Sequence, residues 1–380
     1  MDHATEVDIL RELLDLQARG TPFLDDSWVT TDVQRYRCAE VFARERAGIA
    51  CALPQIAAHS SQLPGSGAFL TLELAGKPLL LVRDEAGAVR AFLNVCRHRG
   101  AQLVGERSGC RRRFSCPYHA WTWDSGGSLV AVPHEKSGFP GLQREAFGLH
   151  RVPCQEYGGW IWVVPGGGAI DVDFHLGDMA ADILGMGAQE YEVFACTERD
   201  TAANWKILVE GGIESYHFRV AHRQTIAGLF LDNLSSYRCF GPHIRSVLPR
   251  SSLPELRDRP EAEWRLGRHA NVLYTLFPGS QFLLQEDHFV WIQGMPLAPD
   301  RTLLRIATMV PKLANTPANA DYWRRHHHLT SVTLEEDFVL AEGIQRGLAS
   351  GANAQLNFGR FEGALARFKN SVEEALARGA

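Results

Sequence analysis

The chain has 380 residues, 45% of them hydrophobic and 22% charged, which is enough for two or three domains that bury their own cores without disulfide staples. The formal net charge of −5 and the lack of a long basic run argue against nucleic acid as a partner. No apolar run approaches the ~20 residues of a membrane span.

The opening segment, MDHATEVDILRELLDLQARG, is acidic and amphipathic. It lacks the basic and apolar regions of a signal peptide. The eight cysteines (Cys38, Cys51, Cys96, Cys110, Cys116, Cys154, Cys196 and Cys239) are scattered rather than spaced as a disulfide framework. A cytoplasmic protein is expected.

Residues 1–60 read as a mostly helical segment that packs on the larger domain. The stretch RYRCAEVFARERAGIACALPQIA has helix formers and no breaker before Pro54. Residues 61–168 read as a small all-β domain. In FLTLELAGKPLLLVRDEAGAVRAFLNVCRH, apolar strands are broken by turns expected at Gly76-Lys77 and Glu85-Ala86-Gly87. YGGWIWVVPGGG supplies a last strand and then a linker at Pro165 to Gly168. Residues 169–380 mix both element types. Strand-like runs such as HANVLYTLFPGSQFLLQEDHFVWIQGMPL lie between helical segments, and the chain is helical again from about Asp321. The fold class is therefore α+β, a small β domain followed by a larger domain of strands and helices.

Cys96, His98, Cys116 and His119 form C-x-H, seventeen residues, then C-x-x-H. A lone Cys or His is more often buried core than ligand. Two complete pairs in one β domain point instead to a metal or cluster held by two loops. Zinc fingers commonly pair like residues, C-x₂₋₄-C with H-x₃₋₅-H. Here each pair is mixed, which suits a [2Fe–2S] cluster with two thiolates on one iron and two imidazoles on the other. Tyr118, Trp121 and Trp123 are expected to keep water from it.

NVCRHRGAQL and FSCPYHAWTWD resemble the two cluster loops of a Rieske domain, and more specifically that of the Rieske non-heme iron oxygenases. This resemblance implies a second iron that meets oxygen. The stretch from Asn204 to His222, NWKILVEGGIESYHFRVAH, is where its ligands are sought. On a helix, Glu210, Glu214 and His217 share a face. His222 lies about 140° further round, so both imidazoles reach one ion only if the helix ends or distorts before His222. A 2-His-1-carboxylate set needs one acid more. In TLEEDFVLAEGIQRGL, Leu334, Asp337, Leu340, Ala341, Ile344 and Leu348 form one stripe. Asp337 is an acid on an apolar face, costly unless paired or metal-bound. Glu335, Glu336 and Glu342 fall off the stripe and read as solvated or salt-bridged.

Carried over by position, the family implies His217, His222 and Asp337 as ligands of a mononuclear non-heme iron in a helix-grip catalytic domain. It implies Glu214 as a bridge from His217 to His119 of a neighbouring chain. That residue is usually Asp. A glutamate is similar to the branch acting on quaternary ammonium compounds such as carnitine, choline and glycine betaine. Gly211 stands where that branch usually has Asn.

The implied protein is the terminal oxygenase of a multicomponent system and forms a homotrimer. It takes O₂ and a small substrate, with electrons from NAD(P)H reaching it through a flavin or iron–sulfur reductase or a ferredoxin. It hydroxylates or oxidatively demethylates that substrate. The alternative is an aromatic-ring dioxygenase forming cis-diols, and more distantly an electron carrier or zinc-binding protein. Tyr216, Phe218, Tyr274, Phe277, Phe282 and Trp291 are candidate pocket residues for a cation or a ring. RRHHH, from Arg324 to His328, is expected to precede a helix on a solvated face. Arg111 to Arg113 form a turn or a docking site for an acidic electron donor.

Overall fold

The computed structural model describes residues 1–378 and divides into two compact units. One comprises Ala50–His175 with Ala188–Glu192, and the other comprises Met1–Ile49, Leu176–Gly187 and the chain from Val193 onward.

The first unit is all β at its centre. A five-stranded sheet runs in the order Arg151–Val152, Val89–Leu93, Lys77–Arg83, Ala68–Leu74, Ser108–Cys110, with two three-stranded sheets beside it. Every pairing in it is antiparallel. The first expected turn sits one residue earlier than the sequence indicates. Leu74 pairs with Lys77, so Ala75 and Gly76 make the turn, both with positive φ. Such a two-residue turn matches the twist of the strands it joins. The Glu85–Gly87 turn stands as expected, held by the Asp84 carboxylate, which accepts from the N–H groups of Ala86 and Ala88 at 2.9 Å each. Phe69, Phe114, Trp121, Trp123 and Leu129 fill the core under the cluster loops.

The second unit is built on a seven-stranded sheet. From Ser236 to Pro311 the strands form an antiparallel meander. Tyr191–Thr201 joins it beside Arg301–Pro311. The helices Trp205–Ile213 and Ala320–Ala349 lie on this sheet. Val290, Ile292, Leu304 and Ile306 from the strands meet Leu208, Leu334 and Phe338 from the helices. RRHHH lies inside the long helix rather than before it, and His327 hydrogen-bonds Thr308 at 2.8 Å. A short strand pair escaped the sequence reading. Val29–Asp32 pairs with Gln355–Phe358, four residues each, between helices at the two ends of the chain. No helix among the described residues is long and apolar enough to cross a membrane.

The Trp205–Ile213 helix is anchored by an ion pair. Lys206 is fully buried, and its Nζ lies 2.7 and 2.8 Å from the two Glu45 oxygens. The Trp205 indole donates to the same carboxylate at 2.9 Å. Burial pushes the Lys206 ammonium down to about 8 against the pull of Glu45. Removing one partner of a buried pair strands the other charge, at a cost of roughly 3–5 kcal/mol. Glu45→Gln is expected to lose that much in chemical denaturation. A midpoint equal to wild type would show that the pair does not anchor the helix.

Candidate metal centres

The two loops of the β unit are built alike. In one, the Cys96 carbonyl accepts from Gly100 N–H at 3.0 Å, and Cys96 N–H donates to the Ala101 carbonyl at 2.8 Å. In the other, the Cys116 carbonyl accepts from Ala120 at 2.9 Å, and Cys116 donates to Trp121 at 2.8 Å. Gly100 and Ala120 occupy equivalent places with φ of 75° and 57°. A positive φ at alanine is uncommon, and the matched loop geometry holds it there.

These loops bring the four expected residues together. Cys96 and Cys116 are buried side by side, and burial raises the Cys96 thiol with a further push from Cys116. The His98 and His119 rings have centroids 4.7 Å apart. Their Nδ1 atoms are buried and have no hydrogen-bond partner among the described residues. Two orphaned ring nitrogens beside two thiols are a donor set that fits a [2Fe–2S] cluster. Trp121 stacks on His98 at 4.9 Å with planes 5° apart, and Trp123 donates its indole N–H to the Phe147 carbonyl at 2.8 Å. These two rings are buried, but Tyr118 is 57% exposed and covers His119 from the surface. Tyr118 therefore does not shield the site in the way the sequence indicates.

The second candidate set lies where the Trp205–Ile213 helix stops. The helix ends at Ile213, and Glu214 is already extended, with φ −117° and ψ 165°. The shared helical face of Glu210, Glu214 and His217 therefore does not form. Glu210 points elsewhere, accepting from the Tyr36 hydroxyl at 2.9 Å. A separate turn of helix, Phe218–Ala221, then carries His217 and His222 at its two ends. This break is the distortion that the five-residue spacing requires.

Asp337 on the long helix completes the set. Its Oδ1 lies 3.0 Å from His222 Nε2 and 3.4 Å from His217 Nε2. One ligand atom from each of the three residues falls within 4.8 Å of the others, so together they could hold one metal ion. The remaining ring nitrogens are held by acids. Glu214 bonds His217 Nδ1 and also accepts from the backbone N–H of Tyr216 and His217. Glu336 bonds His222 Nδ1 at 2.8 Å and accepts from the Thr225 hydroxyl at 2.6 Å. Glu336 is thus not a solvated acid, and only its adjacency to Asp337 marks it in the sequence. Glu335 and Glu342 are salt-bridged as expected, both to Arg199 at 2.7 Å.

Burial alone would push the His217 imidazole down, but the Asp337 and Glu214 carboxylates outweigh it and hold the ring up at about 10. Burial would likewise raise Asp337, but the two imidazoles keep its carboxyl below its ordinary value.

A cavity of about 220 Å³ opens onto these residues. Its walls are mainly aliphatic, with Ile207, Leu248, Leu283, Ile292 and Leu340 among them. Of the six expected pocket aromatics only Phe218 lines it. Tyr274, Phe277, Phe282 and Trp291 are buried in the core, while Tyr216 is exposed. Gly211 borders the cavity, and a Cβ there would meet open space.

The model of the ring-hydroxylating alpha subunit catalytic domain matches residues 188–378, and that of the Rieske [2Fe-2S] domain matches residues 54–154. The oxygenase subunit of glycine betaine monooxygenase from Chromohalobacter salexigens is 25% identical over 92% of this chain and 89% of its own. The alpha subunit of 2-aminobenzenesulfonate 2,3-dioxygenase from an Alcaligenes species is 32% identical over 70% of each chain. The alpha subunit of biphenyl 2,3-dioxygenase from Rhodococcus jostii is 39% identical, but over only 32% of this chain and 26% of its own. The crystal structure of the quaternary ammonium Rieske monooxygenase CntA with L-carnitine has the same fold. It superposes with a TM-score of 0.78 at 22% identity, covering 94% of this chain and 96% of that one.

In the metal-free protein, a His217 raised to about 10 contributes stability that is full below its unfolded value of 6.5 and is lost as pH rises through 10. Thermal melts of metal-free wild type and Asp337→Asn should differ most near pH 6.5 and converge toward pH 10. A constant difference would remove the carboxylate–imidazole contacts as its source.

Proposed function

Since the chain belongs to the family of Rieske ring-hydroxylating oxygenase alpha subunits and is a terminal oxygenase component, we propose that Cys96, His98, Cys116 and His119 hold its [2Fe–2S] cluster. In the same reading, His217, His222 and Asp337 hold its mononuclear iron. The observation that carries this is the convergence of two imidazoles on one half-buried carboxylate. When bound, the cluster supplies electrons and the mononuclear iron offers open positions for O₂ beside substrate. The chain's own residues orient the site. Glu214 and Glu336 fix the tautomers of His217 and His222 so that Nε2 faces inward. The aliphatic walls exclude water around the substrate.

The functional unit in this reading is a homotrimer in the cytoplasm. Glu214 links His217 to His119 of the neighbouring chain, giving electrons a hydrogen-bonded path between chains. Exposed Tyr216, Val220, Val339 and Leu340 around the site support a covered surface there. A flavin or iron–sulfur reductase, directly or through a ferredoxin, delivers the electrons from NAD(P)H.

The substrate in this reading is a small quaternary ammonium carboxylate that is hydroxylated and loses a group as an aldehyde. Its support is Glu214, together with similarity along most of the chain to a glycine betaine enzyme. One observation favours ring dioxygenation instead. The cavity lacks the aromatic cage that a methylammonium prefers, and an apolar wall suits a ring. The substrates named for the glycine betaine and aminobenzenesulfonate relatives both carry an anionic group.

Protein purified without air should hold about three irons and two acid-labile sulfides per chain. With a reductase, glycine betaine or carnitine should drive O₂ uptake and aldehyde release. Uptake with 2-aminobenzenesulfonate alone, yielding a ring diol, would transfer the assignment to the second reading. Zinc and a colourless protein would overturn both.

Asp337→Ala should keep the cluster absorbance and lose the mononuclear iron, and full activity in that variant would refute the ligand assignment. Glu214→Gln should keep both metals and slow single-turnover electron transfer. An unchanged rate, or a fully active monomer by light scattering, would remove the bridge between chains.

A further inference from the structure

A second cavity, of about 610 Å³, shares Phe218, Ile226, Leu248, Leu283, Thr333 and Leu334 with the cavity at the candidate iron ligands. The first cavity is almost wholly apolar in its side chains beyond the metal set. The second is also mostly apolar but has more polar side chains, and Arg250, Asn271 and His288 border it.

Arg250 follows the strand His243–Pro249, two residues after Leu248. The period of an extended chain puts those two side chains on one face, about 7 Å apart along the backbone. Arg250 therefore stands next to a wall residue common to both cavities.

Its guanidinium is clamped by a neutral group. Nε and Nη2 donate to the Asn271 side-chain oxygen at 3.0 and 2.7 Å. No carboxylate among the described residues forms an ion pair with Arg250. Glu286 and Asp287 also border this cavity, but each is engaged. Asp287 accepts from the Tyr322 hydroxyl at 2.6 Å and bonds His288 Nδ1 at 2.7 Å. Glu286 faces Arg268 at 3.5 Å. These acids act on Arg250 through space, but neither forms an ion pair with it, and both of its side-chain hydrogen bonds go to Asn271. His288 also borders the cavity, but its Nδ1–H goes to Asp287, so its Nε2 is an acceptor open to a water and not to an anion. The residue is 3% exposed, and its Nε2 has no hydrogen-bond partner among the described residues. A buried polar nitrogen left open beside a cavity is costly unless a ligand or water meets it.

We propose that Arg250, positioned by Asn271, anchors the carboxylate or sulfonate of an organic-acid substrate whose other end extends into the cavity at His217, His222 and Asp337. This inference rests on the oxygenase reading of that cavity and narrows its substrates to organic acids. Arginine suits the role because its planar fork meets a carboxylate or sulfonate with directed, charge-assisted hydrogen bonds.

The test is calorimetric binding to the iron-loaded protein without oxygen, using hexanoate against hexanamide and benzenesulfonate against benzenesulfonamide. Each acid should bind about tenfold or more tighter than its amide. Arg250→Met should abolish that preference. Asn271→Asp gives the guanidinium an internal carboxylate at the same place, so it should also abolish the preference with little change in cavity shape. Thermal melts identify a variant that fails to fold, and Asn271→Asp then decides. Equal binding of acid and amide, no binding of either acid at millimolar concentration, or a preference that survives Asn271→Asp would overturn the proposal. If the acid preference holds but no acid supports O₂ uptake and the mononuclear iron is missing, the oxygenase reading fails while the anchor stands.

Discussion

A single half-buried carboxylate shared by two imidazoles organises the larger unit. An ionised Asp among leucines is unfavourable by several kcal/mol unless its charge is met. Here His217 and His222 meet it at 3.4 and 3.0 Å. Two separate chain features must coincide for this to happen. The Trp205–Ile213 helix must stop so that the next short turn can turn both rings inward. The Ala320–Ala349 helix must lie on the sheet in the register that points Asp337, not Glu336, into the apolar space. Leu208, Leu334 and Phe338 set that register by packing on Val290, Leu304 and Ile306. The buried Glu45–Lys206 pair fixes the start of the first helix. The core thus positions the chemistry, and Glu214 and Glu336 hold the ring nitrogens that face away from Asp337.

The two candidate centres use opposite nitrogens of their histidines. In the β unit the buried orphan atoms are Nδ1 of His98 and His119. In the larger unit Nδ1 is bonded to a glutamate and Nε2 faces the partner carboxylate. Nδ1 is the ring nitrogen nearer the backbone, so tight loops that wrap a cluster present it naturally. A longer reach, from two ends of a helical turn toward a neighbouring helix, needs Nε2. The His119 ring lies against the exposed Tyr118, with centroids 3.8 Å apart. In the larger unit the hydrogen bond at Nδ1 decides the tautomer, so Nε2 is left as the free lone pair facing Asp337.

Both donor pairs of the β unit are legible in the sequence because they are local. C-x-H and C-x-x-H each sit in one short loop, and each loop closes on itself through the same pair of backbone hydrogen bonds. Asp337 was legible for a different reason, as a charge at the wrong place on an apolar stripe. What failed was anything needing knowledge of where a helix stops or which face of a strand looks inward. Glu210 was grouped with His217 because the run from Asn204 is continuously helix-forming, whereas the chain leaves the helix at Glu214. Glu336 was read as solvated because its partners, His222 and Thr225, lie more than a hundred residues away. The Val29–Asp32 strand was invisible because each half is four residues long and finds its partner at the far end of the chain.

The substrate cavity shows the same limit most sharply. Its strands are buried along nearly their whole length, as in Ala270–Leu276, where every residue is buried. A strand buried on both faces loses the alternation that tells inside from outside. Aromatic residues were therefore expected at the pocket and instead fill the core, while leucine and isoleucine line the walls. Aliphatic walls alone give affinity that scales with buried area and discriminates weakly between shapes. Selectivity must then come from the few polar groups at the margin, because leaving a buried polar group unmet costs far more than misplacing a methylene. Arg250 is such a group, reached across a wall shared with the cavity at the metal ligands.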